Sequence, residues 1–301
     1  MLVSGALSLT PSAAGGGVWY GGRGVFAGGS GPVNLIDYIT IATTGNAIDF
    51  GDLTLARYSV GACSDSSRGV FGGGRDSASA NRNDIDYITF ATTGNATDFG
   101  DLTQSRRYTS ACSDGTYAVW GGGRASSFSN VLDYVTIQTV GNAVDFGDLT
   151  VSRPALSACS DSTRGLFGGG ETTNTIDYIT IATPGNATDF GDLSGSNLYT
   201  AACSSQTRGL WGMGHDGSQL NTIDYVTIQT TGNSTDFGDL TVARHGGGAC
   251  SDGTYGVWAG GHDGAFTNVI DYITISSTGN ATDFGDLTSA RGSGVGGCSG
   301  N

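Results

Sequence analysis

Three histidines are the side chains of this sequence best suited to bind a transition metal, and all of them lie in its last third. His215 and His262 each open a His-Asp-Gly triplet, and His245 lies between the two triplets. A hairpin turn centred between Gly253 and Thr254 places His245 opposite His262 on paired strands. His215 then lies at the same level of the neighbouring structural unit, so the three imidazoles are expected to converge.

Converging imidazoles, together with Asp216 or Asp263, are typical ligands of Zn²⁺ or Ni²⁺. The alternative is that exposed loop histidines cluster without a shared role, and this is the interpretation that we favour. We therefore expect no cofactor, and we keep a zinc or nickel site at His215, His245 and His262 as a minority hypothesis.

Six cysteines form a second candidate set, because an even number invites pairing into disulfides. Each occupies the same place in one copy of a sequence repeat, and equivalent positions on neighbouring strands of a ring lie further apart than the ~4.4–6.8 Å between Cα atoms that a disulfide needs. We expect free thiols buried as small apolar groups, consistent with assembly in a reducing cytoplasm. The six are Cys63, Cys112, Cys159, Cys203, Cys250 and Cys298.

Aspartate supplies 26 of the 27 acidic residues, and three aspartates recur in each repeat. Calcium loops need several oxygens that converge within one short segment, whereas Asp49 and Asp52 offer two carboxylates on alternate sides of a strand. Turn and cap hydrogen bonds, or pairing with recurring arginines, explain the aspartates more simply than calcium does. Those arginines are Arg57, Arg106, Arg153, Arg244 and Arg291.

Catalysis finds little support in the remaining residue types. Glu171 is the single glutamate, which excludes a repeated glutamate pair. No Ser-His-Asp order recurs in a strand-turn-helix context, and no Gly-rich phosphate loop precedes a helix. We therefore predict that the protein is not an enzyme.

Composition restricts the elements that hold these residues. The 301 residues include 53 glycines, 13 arginines and no lysine, and the net charge is −14. The scarcity of strong helix formers excludes an all-helical fold. The acidic charge argues against nucleic acid and anionic lipid as partners, and no apolar run approaches the ~18 residues of a membrane span.

A repeat organises the whole chain. The block Ile-Asp-Tyr-Ile-Thr-Ile-Ala-Thr-Thr-Gly-Asn-Ala, followed by Asp-Phe-Gly-Asp-Leu, recurs six times with periods of 44 to 49 residues. Each period has four short strands, which we name a (with Cys), b (Gly-rich), c (Ile-Asp-Tyr) and d (Asp-Phe-Gly). Radial closure removes exposed edges, so the sequence predicts an all-β, six-bladed propeller of four-stranded antiparallel blades.

The order of motifs resembles the kelch repeat, in which a glycine doublet follows an aromatic strand. Here it comprises Phe71-Gly72-Gly73, Asp86-Tyr87, Phe99 with Leu102, and Arg106. The chain departs from the kelch pattern in having Phe where kelch repeats usually carry Trp. It also has Asn197 in place of Arg and Met213 in the glycine doublet. The resemblance implies a kelch-like propeller over residues 23–301.

The near-verbatim block is also similar to repeats of tail-fibre and other virion structural proteins of marine, especially cyanobacterial, phages. This resemblance implies a virion component that is made in the host cytoplasm and contacts other virion proteins.

Only the segment between strands b and c varies freely in length. From the last glycine of strand b to the Ile-Asp-Tyr aspartate, the six distances are 8, 12, 10, 7, 10 and 10 residues. Antiparallel order places the b–c and d–a connections at one end of the propeller, the b–c face, and the a–b and c–d turns at the other, the opposite face. Loops on a rigid scaffold are common sites of recognition, although the length and sequence of a surface loop also vary when no function constrains them.

We therefore predict a non-enzymatic phage virion structural or host-recognition module that binds a host glycan, a host protein or a virion neighbour through the b–c face. The alternative is a carbohydrate-binding propeller lectin of a cell surface. The candidate binding residues are Arg75, Arg82, Arg124, Phe128, Glu171, His215, His262 and Phe266.

Closure of the ring is expected to use the two ends of the sequence. Residues 292–301 supply a strand a with no strand b after it, and Arg23 to Gly29 form a strand b that needs a partner. The alternative partner for this strand b is a degenerate strand a that begins at Leu9-Thr10 and lacks the cysteine; we call it the worn strand. Residues 1–22 are therefore predicted to be an arm, either a docking segment or this worn strand.

Overall fold

The computed structural model describes residues 21–171 and 173–300 of the chain. Within these residues the fold is all-β and contains no helix. In chain order the first strands are β1 (Arg23–Ala27), β2 (Leu35–Thr40), β3 (Ile48–Asp52), β4 (Arg57–Tyr58), β5 (Gly61–Ser64), β6 (Arg68–Gly72), β7 (Arg75–Asp76), β8 (Asp84–Thr89), β9 (Thr97–Asp101), β10 (Ser110–Ser113), β11 (Tyr117–Gly121), β12 (Val131–Thr136) and β13 (Val144–Asp148). They are followed by β14 (Ser157–Ser160), β15 (Arg164–Gly168), β16 (Thr175–Thr180), β17 (Thr188–Asp192), β18 (Ala201–Ser204), β19 (Arg208–His215), β20 (Gln219–Thr227), β21 (Thr235–Asp239), β22 (Gly248–Ser251), β23 (Tyr255–His262), β24 (Phe266–Thr274), β25 (Thr282–Asp286) and β26 (Gly296–Gly300).

Six four-stranded antiparallel sheets form the blades of a β-propeller, as the repeat predicts. Blade 1 is β26-β1-β2-β3, blade 2 is β5-β6-β8-β9, and blades 3 to 6 are β10–β13, β14–β17, β18–β21 and β22–β25. The short strands β4 and β7 add a two-stranded sheet at blade 2. The fold is consistent with kelch-like repeats.

The two ends of the sequence share blade 1, which confirms the predicted closure. Strand β26 pairs with β1 over five residues, from Arg23 with Gly300 to Ala27 with Gly296. The other edge of β1 pairs with β2. The rival worn strand and most of the predicted arm, residues 1–20, lie outside the described residues.

The Asp-Phe-Gly-Asp motif locks each blade onto the next. Its phenylalanine, for example Phe50, is buried, and the glycine after it lets a neighbouring turn approach closely. A Cβ at Gly51, which has φ +147°, would lie 2.4 Å from the carbonyl oxygen of Gly94 in the next blade. The Oδ1 atom of Asn95 accepts a 3.1 Å hydrogen bond from the Asp52 N–H, so the Thr-Gly-Asn turns serve as joints between blades.

The Ile-Asp-Tyr aspartates are buried hydrogen-bond acceptors. In blade 3, the Asp133 carboxylate accepts a 2.8 Å bond from the Arg106 guanidinium, and both side chains are fully buried. The Thr103 backbone N–H and hydroxyl also donate to it. The same ion pair recurs in blades 1, 2, 4 and 6, which confirms the predicted pairing.

Blade 5 lacks this ion pair, because Asn197 replaces the arginine. Its aspartate, Asp224, is 4% exposed and accepts hydrogen bonds from the backbone N–H and the hydroxyl of Ser194, at 3.0 and 2.7 Å. No described cation forms a salt bridge with it. Blade 5 therefore keeps a buried carboxylate without a counter-charge.

All six cysteines are free and buried, which confirms the prediction of thiols without disulfides. A Cβ at Gly165 would lie 2.5 Å from the Cys112 Sγ atom of the preceding blade, so the cysteine fills the space that this glycine leaves open. Burial raises the pKa of the Cys63, Cys159 and Cys250 thiols well above the ordinary range.

Candidate ligand-binding face

A ring of backbone hydrogen bonds closes the central channel at the b–c face. The residue two positions after each recurring arginine, or after Asn197 in blade 5, has φ between 56° and 72°, although five of the six are not glycine. In this left-handed conformation the backbone N–H points toward the preceding blade. Six N–H···O=C hydrogen bonds of 2.7–3.1 Å, each joining one blade to the blade before it, form a closed circle. Their members are Ser59, Tyr108, Ala155, Tyr199, Gly246 and, one residue after Ser293, Gly294.

A second ring closes the other end of the channel, and it is made by side chains. The serine after each cysteine donates its hydroxyl hydrogen bond to the backbone carbonyl of the equivalent serine in the preceding blade. The six serines are Ser64, Ser113, Ser160, Ser204, Ser251 and Ser299. The two ends therefore differ. The serine ring needs a hydroxyl in every blade, whereas the backbone ring at the b–c face does not require a particular side chain.

Outside the backbone ring, six cross-strand pairs surround the b–c face; we call them the rim pairs. Each joins the residue after the last glycine of strand b to the residue after the recurring arginine or Asn197, through backbone hydrogen bonds. These hydrogen bonds place the six strand-b residues at equivalent positions on one rim. The pairs are Ser30 with Gly292, Arg75 with Tyr58, Arg124 with Arg107, Glu171 with Pro154, His215 with Leu198, and His262 with His245.

The three histidines meet, as the register predicts. His245 and His262 form a backbone bridge with ring centroids 5.3 Å apart, and the His215 ring lies 5.1 Å from that of His245. In blades 5 and 6 the b–c segments are ladder-paired hairpins rather than the expected loops, with His215 opposite Gln219 and His262 opposite Phe266. The longer ladders hold two of the imidazoles in place.

Two of the imidazoles accept hydrogen bonds from the backbone. The Nδ1 atoms of His215 and His262 accept N–H hydrogen bonds from Gly217 and Gly264, at 3.3 and 3.4 Å. The Nδ1 atoms are therefore engaged within their own turns, and Nε2 is the nitrogen of each ring that is left for a ligand.

His245 differs from the other two. Its Nδ1 atom is buried and has no hydrogen-bond partner among the described residues. Burial lowers the pKa of His245, and the neighbouring His215 and His262 lower it further. Nor do the described residues contain a group of three or more His, Cys, Asp or Glu side chains placed to hold a metal ion.

An aromatic row crosses the b–c face. It runs from the channel mouth, which is the opening inside the backbone ring, to the rim pairs. Tyr108 and Tyr199 pack edge to face with centroids 5.3 Å apart, and Tyr199 lies 5.6 Å from His245. The row continues through His262 to Phe266, whose ring centroids are 5.5 Å apart. Phe266 is 43% exposed, so the outer end of the row is open to solvent.

Beneath the row lies a central cavity of about 80 Å³, several times the ~10–15 Å³ that one ordered water needs. All six members of the backbone ring line it. Burial, with Tyr108 and Glu171 nearby, raises the pKa of Tyr199 to about 12, so this phenol stays neutral at physiological pH. The mouth therefore offers two tyrosines, Tyr108 and Tyr199, with Glu171 nearby.

The predicted binding arginines differ in their pairing. Arg82 is engaged by Asp84 at 2.8 Å and by Asp76 at 3.7 Å. The Arg75 side chain donates to the Ser79 carbonyl and to the Tyr58 hydroxyl, at 3.0 and 3.4 Å.

Arg124 is exposed, and its guanidinium lies 5.6 Å from the ring centroid of the half-buried Phe128. Of the predicted arginines, Arg124 is therefore the most available to a ligand.

Sequence reasoning missed Tyr108 and Tyr199, which lie at the channel mouth, and Arg107, which lies in the rim pair beside Tyr108. The missing signal was the position two residues after the recurring arginine, which is Ser, Tyr, Ala, Tyr, Gly and Ser in the six copies. Comparison of the copies at that position would have identified both tyrosines.

The chain matches none of the family models and is similar to none of the curated proteins with which it was compared. Within the described residues, no helix is long and apolar enough to cross a membrane.

Proposed function

We propose that this protein is a non-enzymatic recognition module of a phage particle, built from kelch-like blades, and that it binds its partner through the b–c face. The observation that carries the proposal is the contrast between the two channel ends. The serine ring is the same in all six blades, whereas the rim pairs and the channel mouth differ in charge, size and hydrogen-bonding groups from blade to blade. A repeated scaffold gains nothing from such differences if the face only fills space.

The assignment to a virion depends on the sequence resemblance to phage tail-fibre and structural repeats. The partners are then a host-surface glycan or protein, or a neighbouring virion protein. A carbohydrate-binding lectin of a cell surface is the second candidate, and the aromatic row from Tyr108 to Phe266 favours it. Sugar rings pack on such side chains while neighbouring polar groups bind their hydroxyls.

Exchange of b–c loops tests the proposal. Replacing residues 75–83 with the short segment found at residues 171–174 removes Arg75 and Arg82 and should keep the blades, because the exchange leaves strands b and c in place. We expect weaker attachment to cells or particles, with an unchanged circular dichroism spectrum. The matched control changes a c–d turn, for example by Thr139→Ala.

Attachment that survives this exchange and the matching one at residues 262–268, yet fails when the c–d turns are changed, would place the function on the opposite face. Quantification of the protein in purified particles separates the two candidates. A fixed copy number selects the virion component, and absence from particles selects the lectin.

A further inference from the structure

Three arginines on one part of the b–c face form no salt bridge with a carboxylate of the described residues. Of the 13 arginines, five form the buried ion pairs, and four at the start of strands b stack on tyrosines at the opposite face. The remaining four are in blades 2 and 3, and only Arg82 among them forms a salt bridge with a described carboxylate. In a chain of net charge −14, the other three are an unexpected local excess of positive charge: Arg75, Arg107 and Arg124.

Two of these arginines form a rim pair. The Arg107 N–H donates to the Arg124 carbonyl at 3.1 Å, and the Arg124 N–H donates to the Arg107 carbonyl at 2.7 Å, so the residues lie directly opposite each other. Like charges in this arrangement destabilise a ladder. The protein therefore places two arginines opposite each other, whereas each of the other five rim pairs contains at most one arginine or glutamate.

Tyr108 and Asn81 contact this rim pair, but one N–H group of Arg107 has no hydrogen-bond partner among the described residues. The Arg107 guanidinium lies 5.4 Å from the Tyr108 ring centroid and donates to the Asn81 Oδ1 atom at 3.2 Å. The Asn81 amide donates in turn to the Arg124 carbonyl at 3.0 Å. The Arg107 Nε atom is buried and has no partner among the described residues.

We infer that Arg107 and Arg124 bind the acidic group of a sugar whose ring packs at the channel mouth. This inference rests on the proposed function and names the ligand class of the b–c face. Two guanidinium groups present planar forks of N–H donors, which match the oxygens of a carboxylate or a sulfate and are less hydrated than lysine. An anion between them also neutralises the repulsion.

The rest of the mouth fits the ring of such a sugar. Tyr108 is next to Arg107 in the chain and contacts Tyr199, so an apolar surface begins where the positive charge ends. Glu171 lies near enough to Tyr199 to raise the pKa of that phenol, and it supplies an acceptor for sugar hydroxyls. The site is therefore polar at both ends: the acidic group binds at blade 3 and the hydroxyls at blade 4.

Titration of the full chain with sodium glucuronate, glucose and sodium sulfate at constant ionic strength tests the assignment, with ligand-observed NMR as the readout. Glucuronate and glucose differ only in the carboxylate. We expect glucuronate to bind at least tenfold more tightly than glucose or sulfate, and Arg107→Gln or Arg124→Gln to weaken it about tenfold. Arg164→Gln is the matched control, because Arg164 stacks on Tyr178 at the opposite face.

Thermal unfolding gives a second readout. Since Arg124 lies opposite a like-charged residue in the free protein, Arg124→Gln should leave the Tm unchanged or raise it, and glucuronate should raise the Tm of the native sequence only. Three results would overturn the assignment: equal affinity for glucuronate and glucose, equal affinity for sulfate, which means an adventitious ion only, or equal weakening by Arg164→Gln.

The loop exchange separates this inference from the proposed function. If glucuronate does not bind but the exchange still abolishes attachment, only the acidic ligand is wrong. If glucuronate binds as expected but attachment survives both loop exchanges and fails when the c–d turns are changed, the proposed recognition role of the b–c face is wrong.

Discussion

The two ends of the central channel are closed by rings with the same six-fold pattern but different chemistry. At the opposite face, six serine hydroxyls donate to backbone carbonyls, so the sequence must repeat Cys-Ser in every blade. At the b–c face the ring uses only backbone N–H and C=O groups. Blades can therefore be joined there while the side chains change from serine to tyrosine, alanine or glycine, which allows one end of a repetitive scaffold to become specific.

Removal of residues 292–301 should break both rings at once. The deletion takes away β26, the inner partner of β1, together with Ser299 and Gly294. It exposes the edge of blade 1 and opens the circle, so we expect the single cooperative thermal transition to be lost. An unchanged melting temperature would show that β26 does not close the ring.

The buried ion pairs beneath the b–c face should give the next largest effect. Arg106→Gln leaves the buried Asp133 carboxylate without its cation, and we expect a loss of about 3–5 kcal/mol of unfolding free energy. The reverse change, Asn197→Arg, gives Asp224 a counter-charge and should add about 1–3 kcal/mol. Urea unfolding measures both, and destabilisation by Asn197→Arg would mean that blade 5 has no room for the guanidinium.

Single substitutions in the two rings compare them directly. Ser160→Ala removes the donor to the Ser113 carbonyl and should cost about 1–3 kcal/mol. Tyr199→Ser keeps the backbone ring, and serine already holds the same positive φ at Ser59 and Ser293, so we expect a smaller loss, confined to ring packing. If Tyr199→Ser costs more than Ser160→Ala in urea unfolding, the side chain and not the backbone holds the b–c end together.

The repeat predicted more of the fold than of the site. Six copies of one block predicted the blade number, the closure through residues 292–301 and the pairing of His245 with His262. Neither ring was predicted. The bonds of the serine ring run between blades and depend on the radius of the closed circle, and a backbone ring leaves no requirement for a particular side chain. Arg107 and Tyr199 lie in segments of nearly constant length, so the length variation between strands b and c does not point to them.

Alkaline pH should weaken the fold by a modest amount through the cysteines near the serine ring. Burial raises the pKa of these thiols, so the folded chain keeps their protons while the unfolded chain releases them above about pH 8.5. Stability from this source is present below that pH and is lost as the pH rises. Urea midpoints at pH 7.5 and 9.5 measure the loss, and Cys159→Ala should show a smaller drop between the two pH values; an identical drop would assign the effect to other groups.

Selective blocking of each face tests most directly whether recognition belongs to the variable end of the channel. All six native thiols are buried, so a cysteine introduced at the exposed Ser126 of the b–c face, or at the exposed Thr139 of a c–d turn, is the site that a maleimide-linked polymer modifies. Attachment of the modified proteins to cells or particles is then compared with that of the unmodified variants. We predict that polymer at Ser126→Cys abolishes attachment and that polymer at Thr139→Cys leaves it unchanged. Loss of attachment with polymer at Thr139→Cys alone would contradict the account.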